Sequence, residues 1–380
     1  MSVHSVCIIG GGVAGLVCAQ TLKSLGQAHG RRFGITVLES GPRLGGQVKT
    51  NEISLPAHTT PIIFEEGAEG FVARSTVFPA VSKLAGLAET DLVSQLRVSD
   101  CELQPSQGDT AWDIVELEPG VAAEKLGFQV PKEDRGRGIR SFRRGMSQFV
   151  NAIGSGVDVQ LGAAVGAVSS RGPGFEVRFV EQDCERILQV DSVVVATPHS
   201  VISRIVHPLG ISWTGPDLHH YSHVSVHLLF DRCPDTRALR SFTVPAKFQA
   251  RFEGLRACSL VNEKFPLRCP DSHLLSRFYY RPTNTELLDD KKKWVGFARE
   301  AFEEIFQVNK PPSWSWVSPW VKTLPVFTDE HLRLCGGFKK SAADRFNGRL
   351  AFAGSEVSGA GLEAAANSGR EAGIQIFNAS

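Results

Sequence analysis

Residues 3–15 read Val3-His4-Ser5-Val6-Cys7-Ile8-Ile9-Gly10-Gly11-Gly12-Val13-Ala14-Gly15, and this stretch decides the fold. The apolar run predicts a short buried strand over 3–9. The glycines predict a tight turn, and Leu16 to Leu25 has apolar residues at helical spacing. A second strand, Ile35 to Leu38, ends in Glu39. Strand, glycines, helix, strand and terminal acid within 40 residues form a dinucleotide-binding fingerprint in its required context. Gly10 makes the turn, Gly12 lets backbone approach a pyrophosphate, and Gly15 lets the helix pack against the strand. The helix start, with Val13 and Ala14, offers unpaired N–H groups and a positive dipole end to phosphate. Glu39 is placed to accept hydrogen bonds from a ribose. A glycine-rich turn that bound nothing would leave Glu39 unexplained.

The rest of the chain sets bounds. At 380 residues it is long for one domain and about right for two. Hydrophobic residues make up 42% and charged residues 21%, enough to bury a core. With 41 basic and 40 acidic residues, no whole-molecule field draws in nucleic acid. The 8 cysteines form no C-x-x-C pair, so a reduced, cytoplasmic protein is expected. Cys7 falls in the expected buried strand and Cys18 in the helix. The opening MSVHSVCIIGGG reads as no signal peptide, and no apolar run is long enough to span a membrane.

After Glu39 the chain continues Ser40-Gly41-Pro42-Arg43-Leu44-Gly45-Gly46-Gln47, an extension that a plain NAD domain does not need. At the far end, residues 349–373 read RLAFAGSEVSGAGLEAAANSGREAG. They predict a strand over Leu350–Ala353, a small-residue turn and an alanine-rich helix from Leu362. Both segments resemble the flavin-containing amine oxidase superfamily, with its E-x-x-x-R-x-G-G segment and its F-A-G-x-E strand followed by a glycine-led helix. The resemblance implies FAD rather than NAD. It implies that Glu39 takes the adenosine ribose, that Arg43 lies by the phosphates, and that Gly45 and Gly46, flanked by Ser40 and Gln47, pass close to the flavin. It further implies that Glu356, after Gly354 and Ser355, holds the ribityl chain or pyrophosphate. Gly361 and Leu362 would start a helix aimed at the flavin ring, where a dipole stabilises the reduced anion. No cysteine lies in the C-terminal motif, so non-covalent FAD is expected.

Between the two motifs, Val157–Val168 and Phe175–Val180 read as a hairpin turned at Gly172-Pro173-Gly174. Residues 191–198, DSVVVATP, read as an apolar strand ending at Ala196 and Thr197. In the resembled family the hairpin's first strand pairs its backbone with adenine, which points to Val165. The VVVATP strand closes the nucleotide domain, which adds Ala196 and Thr197 to the cofactor set.

Further segments resemble the protoporphyrinogen oxidase branch. They are FEEGAEGF at 64–71, Phe142-Arg143-Arg144-Gly145-Met146, and Leu324-Pro325-Val326-Phe327 with His331-Leu332. Amine oxidases proper carry a lysine against the flavin. Matching YSHVSVHLLF, residues 221–230, puts Val226 there, and a one-residue shift puts His227 there. Neither is lysine, which fits the protoporphyrinogen oxidase branch. The stretch from 90 to 138 is shorter than that branch's helical insertion, so a smaller, specialised oxidase or desaturase is equally compatible.

Four histidines, His219, His220, His223 and His227, crowd into nine residues. On a strand, His223, Ser225 and His227 share one face. That predicts either a half-exposed polar face, the reading alternation alone explains, or a general base; a metal site lacks a partnering acid or cysteine. Arg135, Arg137, Arg140, Arg143 and Arg144 read as a solvated loop, with an anion patch as the alternative. Trp314, Trp316 and Trp320 alternate, so they either wall the flavin or pack a domain interface. Tyr279 and Tyr280 carry the same ambiguity. The catalytic candidates are therefore His227, Val226, Trp320 and Tyr280, and no metal is expected.

The expected fold is α/β: a Rossmann-like FAD-binding domain interleaved with an α+β substrate domain. The FAD domain takes 1–75, 140–212 and 335–380; the substrate domain takes 76–139 and 213–334. The expected function is oxidation of a C–N or C–C bond of a small, flat or cyclic molecule by hydride transfer to flavin. Oxygen is the expected acceptor, since no second dinucleotide fingerprint is present. Two alternatives stay open: a non-redox flavoenzyme (an isomerase or dehydratase), and a flavin-free binding protein like the guanine-nucleotide dissociation inhibitors. Oligomeric state leaves no signature.

Overall fold

The structure, a computed structural model, describes residues 3–55, 61–96, 100–107, 111–128, 132–213, 215–231 and 240–380. Its first sheet has five strands in the order Asp158–Leu161, Phe33–Glu39, His4–Ile9, Ser192–Val195, Leu350–Phe352. Every neighbouring pair is parallel. In a parallel sheet the carboxyl ends of all strands share one edge, so the loops after Ile9, Glu39, Val195 and Phe352 gather there. The central strands are apolar on both faces, as full cover requires. Cys7 and Cys18 are fully buried, as the strand and helix patterns predict.

Two helices, Val13–Ala28 and Gly361–Ala379, pack together against this sheet. Their approach depends on missing side chains. A β-carbon on Gly369 would lie 2.1 Å from the Ala14 carbonyl oxygen, and one on Gly373 would lie 2.9 Å from Thr21 Cβ. Gly369 meets Ala14 and Gly373 meets Cys18 and Thr21, so the helices run in the same direction. Both N termini therefore face the edge where the strand ends gather.

The hairpin is not a single long pair of strands. Asp158–Leu161 joins the parallel sheet, while Ala164–Arg171 pairs antiparallel with Gly174–Glu181. Gly162, at φ +70°, turns the chain between them. There the Gly162 and Ala163 amides donate to the Gly41 and Glu39 carbonyls at 3.1 and 2.8 Å. A further strand, Cys184–Val190, completes a three-stranded sheet on the parallel sheet's other face.

The largest sheet has seven strands in the order Trp314–Pro325, His220–Asp231, His273–Tyr280, Leu255–Leu260, Phe242–Thr243, Cys101–Pro105, Trp112–Glu116. It is mixed: only the pairing of Thr243 with Glu102 is parallel. The helix Lys291–Phe306 covers one face. Asp290 caps it by accepting from the Lys293 amide at 3.1 Å. Its stripe of Trp294, Ala298, Ala301, Phe302 and Ile305 meets Val224, Val226, Leu228, Phe230, Phe278 and Tyr280. Among the described residues no helix is long and apolar enough to cross a membrane.

Phe302 is fully buried and stacks on Phe230 with ring centres 4.3 Å apart. Phe302→Ala is expected to cost ~3–5 kcal/mol of unfolding free energy, measured by urea titration.

Candidate functional site

At the gathered strand ends the first turn is built as its glycines require. Gly10 has φ +108°, and a β-carbon there would lie 2.4 Å from the Ala196 carbonyl oxygen. One on Gly15 would lie 2.0 Å from the Gly10 carbonyl oxygen. Gly12 is different. It has φ −75°, which any residue adopts, and a β-carbon on it meets nothing within 4 Å. Protein packing therefore does not demand glycine at Gly12; the space above it is open. The helix that starts at Val13 has neither a side-chain cap nor an acid in its first turn. Its leading amides are left for something outside the chain.

Glu39 closes the second strand beside this turn. One carboxylate oxygen accepts from the Gly11 amide at 2.8 Å and the other from the Gly41 amide at 2.7 Å. The exposed Ser40 hydroxyl adds a long bond at 3.5 Å; a carboxylate accepts about four hydrogen bonds, so one acceptor position stays free. Arg43 braces its own loop, donating to the carbonyls of Leu44, Val48 and Gly46 at 2.9, 2.7 and 2.7 Å. That loop pairs with the glycine turn through the Gly45 amide and the Gly11 carbonyl at 2.8 Å. Gly45 is buried, while Ser40, Gly46 and Gln47 are exposed. Ala196 and Thr197 follow the Ser192–Val195 strand, with the Ala196 amide on the Ile9 carbonyl at 2.8 Å. Val165 is buried in the hairpin.

The C-terminal motif reaches the same edge. Gly354 and Gly361 have φ +125° and +88°, and a β-carbon on either meets nothing within 4 Å. Ser355 and Leu362 are half-buried beside them. The last helix begins without a side-chain cap. Glu356 is buried and engaged by the protein itself: it accepts from the His199 amide at 2.7 Å and faces His220 Nε2 at 3.1 Å.

Between this edge and the seven-stranded sheet lies a set of buried charges that sequence reading missed. Glu65 accepts from Arg268 at 3.2 Å, the Thr50 hydroxyl at 2.7 Å and the Met146 amide at 2.8 Å. Glu69 pairs with Lys264 at 2.7 Å and Arg277 at 3.2 Å. Burial alone would raise the Glu69 carboxyl, but those two cations outweigh it and hold it below the ordinary range. Glu66 takes Lys49 at 2.7 Å and the Ser318 hydroxyl at 2.9 Å. Lys264, Arg268 and Arg277 stand some 200 residues from their acids in the chain, with Arg268 and Glu65 separated by 203, so no local pattern announces these pairs.

The strand face toward these charges carries His223, Ser225 and His227, beside Arg277, Tyr279, Ser318 and Trp320. It is not a half-exposed polar face: His223, Ser225 and His227 are all buried. Residues 62–69 lie across the sheet and cover it. His227 packs under Phe64 with ring centres 4.7 Å apart, and neither ring nitrogen has a hydrogen bond of normal geometry. Trp314 and Trp316 also pack on Phe64, at 5.3 and 6.2 Å. Trp320 sits further along, its Nε1 donating to the Glu66 carbonyl at 2.9 Å, beside Gly67. Gln47 ties the glycine loop to this strand through the Thr323 carbonyl at 2.9 Å.

The four catalytic candidates thus separate. Val226 and Tyr280 point to the opposite face, into the core under the Lys291–Phe306 helix; Tyr280 lies 5.2 Å from the Trp294 ring. A strand alternates its side chains, so both are turned away from the covered face. His227 is sealed under Phe64. Trp320 stands toward the glycine loop, and His223 stands with it, 6.1 Å away with near-parallel rings and 5.2 Å from Tyr279. The arginine run is spent on surface contacts: Arg135 with Glu124, Arg140 with Glu89 and Arg144 with Glu52.

Open glycines and two bare helix starts at the carboxyl edge of a parallel sheet define a dinucleotide-binding α/β protein with a second sheet beside the site. The chain belongs to the flavin-containing amine oxidoreductase family, whose profile matches residues 123–375. A profile for NAD(P)-binding Rossmann-like domains matches residues 8–85. Coproporphyrinogen III oxidase of Mycobacterium bovis is 37% identical over 94 residues, which is 25% of this chain and 19% of that protein. The Mycobacterium leprae protein of the same name is 35% identical over 89 residues, 23% of this chain and 18% of that one. These matches therefore span under a fifth of each curated relative. Among solved structures, a candidate protoporphyrinogen oxidase from Exiguobacterium sp. 255-15 superposes with a TM-score of 0.77 at 16% identity, covering 99% of this chain and 100% of that one. Wild-type putrescine oxidase bound to putrescine gives 0.66 at 14% identity, covering 99% of each chain.

Burial, then Arg277 and Arg281, pushes the His223 imidazole down to about 3. Burial, then Arg277, does the same to His227. The unfolded chain holds these imidazoles near 6.5 and so binds more protons than the folded one below that pH. Stability is therefore expected to fall as pH drops from 6.5 toward 3. The loss between about pH 7.5 and pH 5 is roughly 2 kcal/mol per histidine, and His227→Leu removes its share, as urea titrations at the two pH values check. Gly15→Ala is expected to cost at least ~1–3 kcal/mol by overpacking, whereas Gly12→Ala leaves the thermal midpoint unchanged.

Proposed function

We propose that the chain is an FAD-dependent oxidoreductase acting on a C–N or C–C bond of a small, flat or cyclic organic molecule, with oxygen as electron acceptor. The observation that carries this reading is Gly12. It is a glycine that protein sterics do not require, standing over uncapped helix amides beside Glu39, which keeps an acceptor position free. The five-stranded sheet, with residues 1–75, 140–212 and 335–380, would form the flavin domain. Residues 76–139 and 213–334 would form the substrate domain.

In this reading the amides from Gly12 to Gly15 hold the pyrophosphate and Glu39 holds the adenosine ribose. The Val165 main chain meets the adenine. Arg43, Gly45, Gly46 and Gln47 shape the loop against the cofactor, with Ser40, Ala196 and Thr197 at its edges. Gly354, Ser355, Gly361 and Leu362 take the flavin end. Glu356 contributes there by anchoring the turn to His199 and His220. Attachment is non-covalent. Bound there, FAD would supply a two-electron acceptor for hydride.

The chain's own residues do the remaining work. The Glu65–Glu69 charge set holds the Glu66-Gly67-Ala68 backbone against Trp320. His223 stays neutral and can accept a proton at Nδ1 or Nε2, though burial makes it a weak base. No lysine stands on the His220–Asp231 strand to hold a water against the flavin. Positioning and exclusion of water carry the reaction. Membership of a flavin-containing family leaves the flavin-free binding protein without support.

The test is the visible spectrum of the purified protein, with and without added FAD. Flavin bands are expected, with all flavin released on acid precipitation. Gly12→Val is expected to abolish FAD uptake while leaving the unfolding midpoint in place. A wild-type protein that takes up no FAD overturns the proposal.

A further inference from the structure

Beyond His223 the covered strand face ends in two guanidiniums, Arg256 and Arg281, that pair with no acid among the described residues. Arg256 lies at the irregularity between Leu255 and Ala257, where their strand pairs with His273–Tyr280. Arg281 directly follows that second strand. Arg281 Nε donates to the Tyr279 hydroxyl at 3.3 Å and Nη2 to the Leu126 carbonyl at 2.6 Å. Its guanidinium carbon lies 5.5 Å from the Tyr221 ring centre and 5.8 Å from that of Tyr279. Arg256 donates through Nη1 to the Gln249 side chain. Its Nε is buried and has no partner among the described residues.

This arrangement departs from the rest of the interior. Arg277 of the sheet and Arg268, in the turn Pro266–Arg268 before the His273–Tyr280 strand, each hold a carboxylate, Glu69 and Glu65, at 3.2 Å. Among the described residues, Arg256 and Arg281 are paired with none. Both are half-buried. Burial and the charge of Arg281 work against the charged form of Arg256. Two like charges brought together without an acid cost folding energy. An orphaned buried N–H adds to that cost. Leading away from them toward Gly67 and the glycine loop runs a row of rings, Tyr279, His223 and Trp320, the last two near-parallel and Tyr279 tilted by 44° to His223.

We propose that Arg256 and Arg281 are the carboxylate-binding end of the substrate site, and that the substrate is an organic acid whose flat body lies along Tyr279, His223 and Trp320. This rests on the proposed function only in taking that strand face as the substrate side. Two planar guanidinium forks and a phenol suit a carboxylate's lone pairs. They repel a polyamine cation. The substrate class therefore differs from the putrescine bound by the structural relative.

The test is equilibrium binding of benzoate to the FAD-saturated protein, followed by tryptophan fluorescence, with benzylamine as the cationic control. Benzoate is expected to bind saturably, more weakly at high salt, and roughly tenfold or more tighter than benzylamine. Arg256→Gln and Arg281→Gln are each expected to weaken benzoate by about tenfold without changing FAD affinity. Arg281 also supports Leu126, so Arg256→Gln and the wild-type comparison stand if Arg281→Gln unfolds. Benzylamine binding as tightly as benzoate, or benzoate binding indifferent to Arg256→Gln, overturns the proposal. If the protein takes up no FAD, the flavin reading fails separately. The same titrations on the flavin-free protein then decide the anion site by the same two comparisons.

Discussion

The nucleotide-binding end depends on one steric constraint: backbone must touch backbone where the first helix meets the first strand. The Gly10 carbonyl occupies the position that a β-carbon on Gly15 would fill, and the Ala14 carbonyl does the same to Gly369. Close contact at these two points draws both helices down onto the sheet and onto each other. Their N termini then open at the edge where the parallel strands end. The dipoles and bare amides there follow from that placement rather than from any particular side chain. Gly12 shows the contrast, since its missing side chain serves no packing purpose at all.

A second constraint joins the two sheets. Glu65, Glu66 and Glu69 stand on one short segment, and their cations and hydroxyls come from Lys49, Lys264, Arg268, Arg277 and Ser318. Buried ion pairs seldom add net stability, because desolvation offsets their attraction. Their effect here is positional: each carboxylate has one arrangement that satisfies it, so the segment bearing Gly67 can lie across the second sheet in only one register. Arg256 and Arg281 sit on the same sheet outside this arrangement. The charges that position the backbone are satisfied internally, and those two have no acid partner among the described residues.

The first motif was legible because every part of it is local. Gly10, Gly12, Gly15 and Glu39 act through backbone geometry and sequence neighbours, and the glycine loop at 45–46 lies beside them. The two-faced character of the 221–230 strand was legible as alternation, but not which face was covered. Val226 and His227 differ by one position, and that step separates the core under a helix from the underside of Phe64. The hairpin read as one long strand because apolar residues at Val157, Val159, Leu161, Ala163 and Val165 alternate straight across Gly162. Its break at Gly162 comes from hydrogen bonds to Glu39 and Gly41, residues more than a hundred positions away.

The sequence by itself determined a dinucleotide-binding α/β core, the glycines on which it turns, the alternating tryptophans of the outer strand and the absence of a lysine at the matched position. Each of these depends on residues adjacent in the chain or on a short fixed period. Only the tertiary structure decided which histidine is sealed and which lies beside Trp320 and Tyr279. It alone showed that Glu65 and Glu69 are paired from some 200 residues away, and that Arg256 and Arg281 have no acid partner among the described residues. Burial and charge pairing depend on distances through space, and these are set when sheets pack, not when strands form.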